Sequence, residues 1–174
     1  MNKYDYIAIG AFIFTILFNS GTVYLQKSRN IYQIFGSKAF TVHSILISIP
    51  WGFFIFTEFL ANRSNWRLDH SYPVLGISIM AVALAMFIAA IWQIGSGALG
   101  NGYFFGRPLR DLQGIYRYIK EPIYWSYTIW FFGLAFLTSL KVFFVYMIIS
   151  VIGLVWFESW VERPDTSKSK LGRQ

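Results

Sequence analysis

Cysteine is absent from all 174 residues. Disulfides, thiolate metal sites and cysteine nucleophiles are therefore excluded. Charge is scarce as well: Asp, Glu, Lys and Arg make up 13% of the chain, against 56% hydrophobic and 21% aromatic residues. A soluble chain would carry about twice that charge. Residues 6–26, 39–57, 70–106 and 122–140 contain no charged side chain, and 142–157 form a fifth such run between Lys141 and Glu158. With no soluble domain to present a groove-reading element, nucleic acid is excluded as a partner.

Long apolar runs are what the chain has instead. A bilayer core takes about 20 apolar residues per helix, and backbone inside lipid must satisfy its own hydrogen bonds. The sequence thus predicts an all-α integral membrane protein of about five transmembrane helices, roughly residues 7–25, 42–60, 74–94, 123–140 and 142–161, in one domain spanning 1–174. The first run is longer than a signal-peptide core and FNSGTVYLQ is a weak cleavage site, so a retained helix is expected. Residues 138–141 (TSLK) are all that join the last two spans, which predicts a tight antiparallel hairpin.

Basic residues give an orientation. With five spans, Lys3, Arg63, Arg67 and Lys141 fall on one side. Lys27, Arg29, Lys38, Arg107, Arg110, Arg117, Lys120, Arg163, Lys168, Lys170 and Arg173 fall on the other. The richer side is cytoplasmic by the positive-inside rule, so the N-terminus is expected outside and the C-terminus in the cytoplasm. The same charge attracts the anionic headgroups of the lipid bilayer.

Smaller features have structural readings. Asn19, Ser20, Gly21 and Thr22 form a polar cluster of the kind that packs helices in bilayers. Pro50 should kink the second span, with Ser48 or a neighbouring helix covering the freed carbonyl. His43 has no second ligand at metal spacing and is expected to be packed or interfacial. Asn62-Arg63-Ser64 matches a glycosylation triplet. Glycines at 95, 97, 100, 102 and 106 make the connector after the third span a flexible loop, without the strand or lysine of a phosphate loop.

The ends of the hairpin carry more than interfacial anchoring explains. One end is GIYRYIKEPIYW, residues 114–125; the other is FESWVERPD, residues 157–165. Glu158 and Glu162 are four apart and would share a helix face. The hairpin brings both carboxylates towards Arg117, Lys120, Glu121 and a group of tyrosines.

Gly114, Ile115, Tyr116, Arg117 and Tyr118, followed by Lys120, Pro122 and Tyr124, resemble a signature of integral-membrane methyltransferases. That family includes isoprenylcysteine carboxyl methyltransferase and the phospholipid methyltransferases. Gly133-Leu134-Ala135, Glu162-Arg163-Pro164 and Leu171-Gly172 continue the resemblance, which covers residues 114–172. It implies S-adenosylmethionine at the cytoplasmic face and a lipid or other lipophilic small-molecule acceptor entering from the bilayer. Carried over to this chain, Glu121 and Glu162 are the catalytic candidates. Tyr116, Arg117, Tyr118, Lys120, Pro122, Tyr124 and Glu158 are the cofactor-binding candidates, and no metal is implied.

The chain departs from the family pattern at three signature positions: Glu121 stands for a histidine, Arg163 for a second acid and Ser126 for a glycine. It also stops at Gln174, where relatives continue through an amphipathic segment. These departures support an alternative, a non-catalytic member of the fold that serves as a structural or assembly subunit beside other membrane-protein subunits. A third reading, a relative of the sterol reductases, lacks any recognisable nicotinamide-binding residue.

Overall fold

The computed structural model describes residues 1–95, 105 and 114–162. Among the described residues six α-helices run in chain order: α1 Lys3–Arg29, α2 Ala39–Ala61, α3 Pro73–Ile94, α4 Pro122–Thr138, α5 Val142–Ser150 and α6 Ser159–Glu162. Helix α5 passes into a π-helical segment, Val151–Glu158, before α6, so the three form one continuous rod. Short 3-10 turns, Ile31–Lys38 and Gly114–Arg117, precede α2 and α4. There is no sheet among the described residues.

Four stretches among the described residues are long and apolar enough to cross a membrane: Lys3–Arg29, Ile31–Leu60, Pro73–Ile94 and Val142–Val161. The fifth expected span, 123–140, is α4, which has 17 residues and stands at the short end of the spanning range. It starts at Pro122, the favoured first position of a helix. It stops at Thr138 because Ser139 turns into the left-handed region, φ 59°. The chain is an all-α integral membrane protein.

Local chemistry explains the helix ends. Asn2 caps α1: its side chain accepts from the amides of Tyr4 (2.9 Å) and Asp5 (3.3 Å), while Asp5 accepts from the Asn2 amide at 2.6 Å. Asn30 ends α1 in the left-handed conformation. Helix α2 continues unbroken through Pro50. Ser48 bonds the carbonyl of Ser44 and not the one that the proline frees; it is the Pro50 carbonyl itself that gains an outside partner, the Thr15 hydroxyl, at 3.0 Å.

Phe12 of α1 sits at the centre of the bundle. Its ring lies 4.7 Å from Phe54 of α2, 5.2 Å from Phe131 of α4 and 5.1 Å from Tyr146 of α5. In a bilayer these rings exchange lipid tails for one another, so little is gained from leaving water. What holds them is close packing and edge-to-face contact, about 0.5–1.5 kcal/mol per aromatic pair. Helices α4 and α5 pack antiparallel, with Phe131 stacked on Phe143 and Phe132 edge-on to Phe144.

The two ends of the bundle differ. At the turn end, the α2–α3 connector is stitched to the α4–α5 turn. The Leu68 amide donates to the Ser139 carbonyl (2.7 Å) and the Lys141 amide to the Trp66 carbonyl (3.0 Å). The Arg67 guanidinium spans the carbonyls of Asn62, Ser64 and Thr138. Ser64 is buried and donates to Asp5 at 2.9 Å, so the hydroxyl of the Asn62 glycosylation triplet is engaged inside the protein. At the opposite end, Lys27 donates to the Val161 carbonyl at 3.2 Å, tying α1 to the end of the α5–α6 rod. The start of α4 and the 114–121 turn belong to this second end.

Candidate active site

The signature turn is built on glycine. Gly114 has φ 58°, which strains any residue with a Cβ, and a Cβ there would also displace the Gln93 side-chain amide that it packs against. Gln93, in the last turn of α3, accepts from the Ile115 amide at 2.8 Å and fixes the start of the turn. The chain then closes a 3-10 turn, with the amides of Tyr118 and Ile119 donating to the Ile115 carbonyl at 3.1 and 2.9 Å.

Glu121 follows in the left-handed region, φ 57° and ψ 54°. A side chain with a Cβ seldom adopts this conformation, which costs about 1–2 kcal/mol. Pro122 has a part in it: its ring disfavours the right-handed helical region for the preceding residue. The result is a sharp corner that sets the Glu121 carboxylate at the N-terminal end of α4, where the helix dipole favours negative charge.

Tyr116 is half-buried, and its hydroxyl is buried without a hydrogen-bond partner among the described residues. Burial, and secondarily the negative charge of Glu121, pushes the phenol up to about 12. Tyr116 and Glu121 are thus close enough for one to feel the other's charge.

A second acidic position lies deeper. Glu158 is 1% exposed and accepts a hydrogen bond from the Asn19 side-chain amide of α1. It is also within electrostatic reach of the Tyr127 hydroxyl. Tyr124 and Tyr127 are three residues apart within α4 and so are neighbours on its surface, the Tyr127 hydroxyl being the one near Glu158. The π-helical stretch that ends at Glu158 is itself notable. Such segments cluster at functional sites because the wider turn re-aims the side chains that follow. Gly153 within it packs against Ile16, where a Cβ would come within 2.9 Å of the isoleucine Cδ1.

The structure therefore groups Tyr116, Glu121, Pro122 and Tyr124 at one end of the bundle and sets Glu158 below them. Arg117, Tyr118 and Lys120 are exposed, Tyr118 at 82%, and point away from the buried part of the turn. Regular α-helix was expected to align Glu158 with Glu162; the rod is π-helical up to Glu158, and the Glu162 side chain lies outside the described residues. Arg163, Pro164, Leu171, Gly172 and the connector glycines 97, 100, 102 and 106 lie outside them too.

Two residues of the site were not singled out for chemistry in the sequence. Asn19 read as a packing residue, and Gln93 drew no reading at all. The available signal was the same for both, a carboxamide inside or bordering a membrane segment, where such groups need partners. His43 is 0% exposed and packed between Tyr32 (5.2 Å) and Phe105 (4.9 Å), as a packed histidine should be. No group of three potential metal ligands occurs among the described residues.

The family model described as phospholipid methyltransferase matches residues 72–169, more than half of the chain. No curated protein and no solved structure matches.

Proposed function

Because this chain belongs to the phospholipid methyltransferase family, we propose that it transfers a methyl group from S-adenosylmethionine to a lipid acceptor held in the bilayer. The observation that carries the reading is the pairing of Tyr116 and Glu121 at a strained, half-buried corner at one end of the bundle. S-adenosylmethionine would supply the methyl group on a positively charged sulfonium, which needs little covalent help from the protein.

The residues present fit such a group. The Tyr116 hydroxyl is a buried donor with no acceptor among the described residues, and the Glu121 carboxylate brings negative charge beside it. Tyr116 and Tyr124 add aromatic faces, which attract cations. Together they bind and orient a cation that also carries hydrogen-bonding groups. The surrounding helices exclude water, and holding two reactants in line accounts for much of the acceleration that this chemistry requires. Glu162 joins Glu121 as the second acid of this reading. Arg117 and Lys120, exposed on the turn, suit the phosphate of a headgroup or the anionic surface. The eleven-to-four distribution of basic residues supports a cytoplasmic signature end and an external N-terminus.

Isothermal titration of the purified protein with S-adenosylmethionine tests the proposal. Wild type should bind, and Glu121→Gln should weaken binding by about 1–2 kcal/mol, a reduced value for a charge-assisted contact because Glu121 is only half-buried. Absence of binding by folded wild type at millimolar cofactor rejects the enzyme and leaves a non-catalytic subunit, the role that the replaced signature histidine favours.

A further inference from the structure

A separate polar cluster lies at the turn end of the bundle, away from the signature residues. Asp5 is 0% exposed, although it sits in the first turn of α1, where a capping acid normally meets water. Its Oδ2 accepts from the Asn2 amide at 2.6 Å and from the Ser64 hydroxyl at 2.9 Å. Those bonds fix the carboxylate and leave Oδ1 buried with no hydrogen-bond partner among the described residues. Glu58, in the last turn of α2, is half-buried as a residue, yet both its carboxylate oxygens are buried and also lack such a bond. Tyr146 of α5 is 0% exposed. Phe12, Phe54, Phe131 and Phe143 grip its ring, with centroids 5.1–5.6 Å away. The hydroxyl faces Glu58, with Asp5 in electrostatic reach of the same oxygen, and it too completes no hydrogen bond of normal geometry.

Two acids and a phenol therefore share one buried region. The guanidinium of the neighbouring Arg67 is used on the carbonyls of Asn62, Ser64 and Thr138. A buried carboxylate without compensation is costly. A proton would neutralise one acid and leave the other charged; a divalent cation neutralises both and meets the open oxygens together. The donors are all hard oxygens, which suits calcium or magnesium and not the metals that prefer nitrogen or sulfur. Magnesium sheds water reluctantly and demands near-octahedral geometry, whereas calcium accepts irregular shells of carboxylate, neutral oxygen and water. We infer that Asp5, Glu58 and the Tyr146 hydroxyl hold a calcium ion between α1, α2 and α5. Asn2 and Ser64 orient Asp5 from behind, as outer partners of metal ligands do. The ion ties three helices together at the end opposite the signature turn and takes no part in methyl transfer. The eleven-to-four distribution of basic residues supports an external position for this end, where calcium-binding modules are tuned to about 10⁻⁴–10⁻³ M.

The test uses full-length protein in detergent, stripped with a chelator and then freed of it. Isothermal titration with calcium chloride should give one site with a Kd of about 10⁻⁴–10⁻³ M. The thermal unfolding midpoint should rise with calcium concentration, as it does for any ligand of the folded state. Magnesium chloride at equal concentration, and sodium chloride at equal ionic strength, should have much smaller effects. Glu58→Gln keeps the shape of the side chain and removes one charge, and calcium affinity should fall at least about tenfold. Tyr146→Phe keeps the ring among its four phenylalanines and should weaken binding by a smaller factor.

Folded wild type that binds no calcium at millimolar concentration overturns the inference. So does binding that Glu58→Gln retains in full, which would put the ion on other acids. An equal effect of magnesium overturns it as well, since that would be non-selective attraction of divalent ions. If calcium does nothing, while acidification raises the unfolding midpoint of wild type and not of Glu58→Gln, the cluster takes up a proton and the calcium site falls.

Discussion

Gly76 of α3 and Gly133 of α4 meet backbone to backbone: a Cβ on Gly76 would stand 2.8 Å from the Gly133 carbonyl oxygen and 2.6 Å from the Leu137 amide. Neither neighbour is a flexible side chain that can move aside. Gly76→Ala or Gly133→Ala should therefore force α3 and α4 apart and lower stability by about 1–3 kcal/mol, as overpacking does. Gly10→Ala, which has open space around it, is the matched control and should be near neutral. Denaturant unfolding in micelles compares the three. Equal stability of all three would mean that the α3–α4 contact is not close.

Gln93 should govern the order of the signature turn. Gln93→Leu removes the acceptor for the Ile115 amide and should cost about 1–3 kcal/mol locally. Hydrogen exchange at Ile115 should then quicken at least about tenfold, with little change at the Phe12 cluster. Exchange as slow as in wild type would show that another group holds the turn.

The Tyr116 phenol predicts alkaline behaviour. Its ordinary value of 10.0 is raised in the folded protein to about 12, so the fold favours the protonated form. This contribution to stability is fully present below pH 10 and is lost as pH rises through about 12. Tyr116→Phe should abolish that part of the alkaline loss. Glu121→Gln should bring the Tyr116 titration downwards by removing the secondary, electrostatic cause. Ultraviolet difference titration of each protein against Tyr116→Phe isolates the one tyrosine. A Tyr116 signal that titrates near 10 would refute the burial.

The left-handed corner at Glu121 separates function from stability. Glu121→Gly and Glu121→Ala both remove the carboxylate, yet only glycine accepts φ 57° without strain. The glycine variant should be the more stable of the two by about 1 kcal/mol, and both should lose cofactor affinity. Thermal unfolding and titration on the same preparations provide the comparison. Equal stability of the pair would indicate a relaxed corner.

Much of this architecture could be read from charge alone. Lipid tolerates neither unpaired backbone nor many charges, so five uncharged runs translate almost directly into helices, and a four-residue link into a hairpin. The details that escaped have local or non-local causes. Helix α4 ends earlier than its apolar run because Ser139 takes a positive φ, which hydropathy does not encode. The π-helical stretch before Glu158 leaves no mark on an apolar pattern, yet it decides where that carboxylate points. The partnership of Asn19 with Glu158 joins positions 139 residues apart, and nothing in either neighbourhood names the other. The signature residues were legible as a motif, but the motif did not separate the inward Tyr116 and Glu121 from the outward Arg117, Tyr118 and Lys120.

The clasp of Arg67 on the carbonyl of Thr138 has a consequence for how the protein is made. The two residues are separated by 71 positions, so the guanidinium leaves the ribosome well before its last acceptor exists. At about 5–20 residues per second that interval is several seconds. During it, Phe12 and Phe54 can already meet, but Phe131 and Tyr146 are missing from the centre of the bundle. The amino-terminal helices therefore wait in the membrane with one flank unfilled. They close only when the terminal hairpin arrives and its turn is fastened by Arg67, Trp66 and Leu68. A chain truncated before that hairpin is left with an open seam, the kind of surface by which quality-control proteases and membrane chaperones recognise unfinished clients.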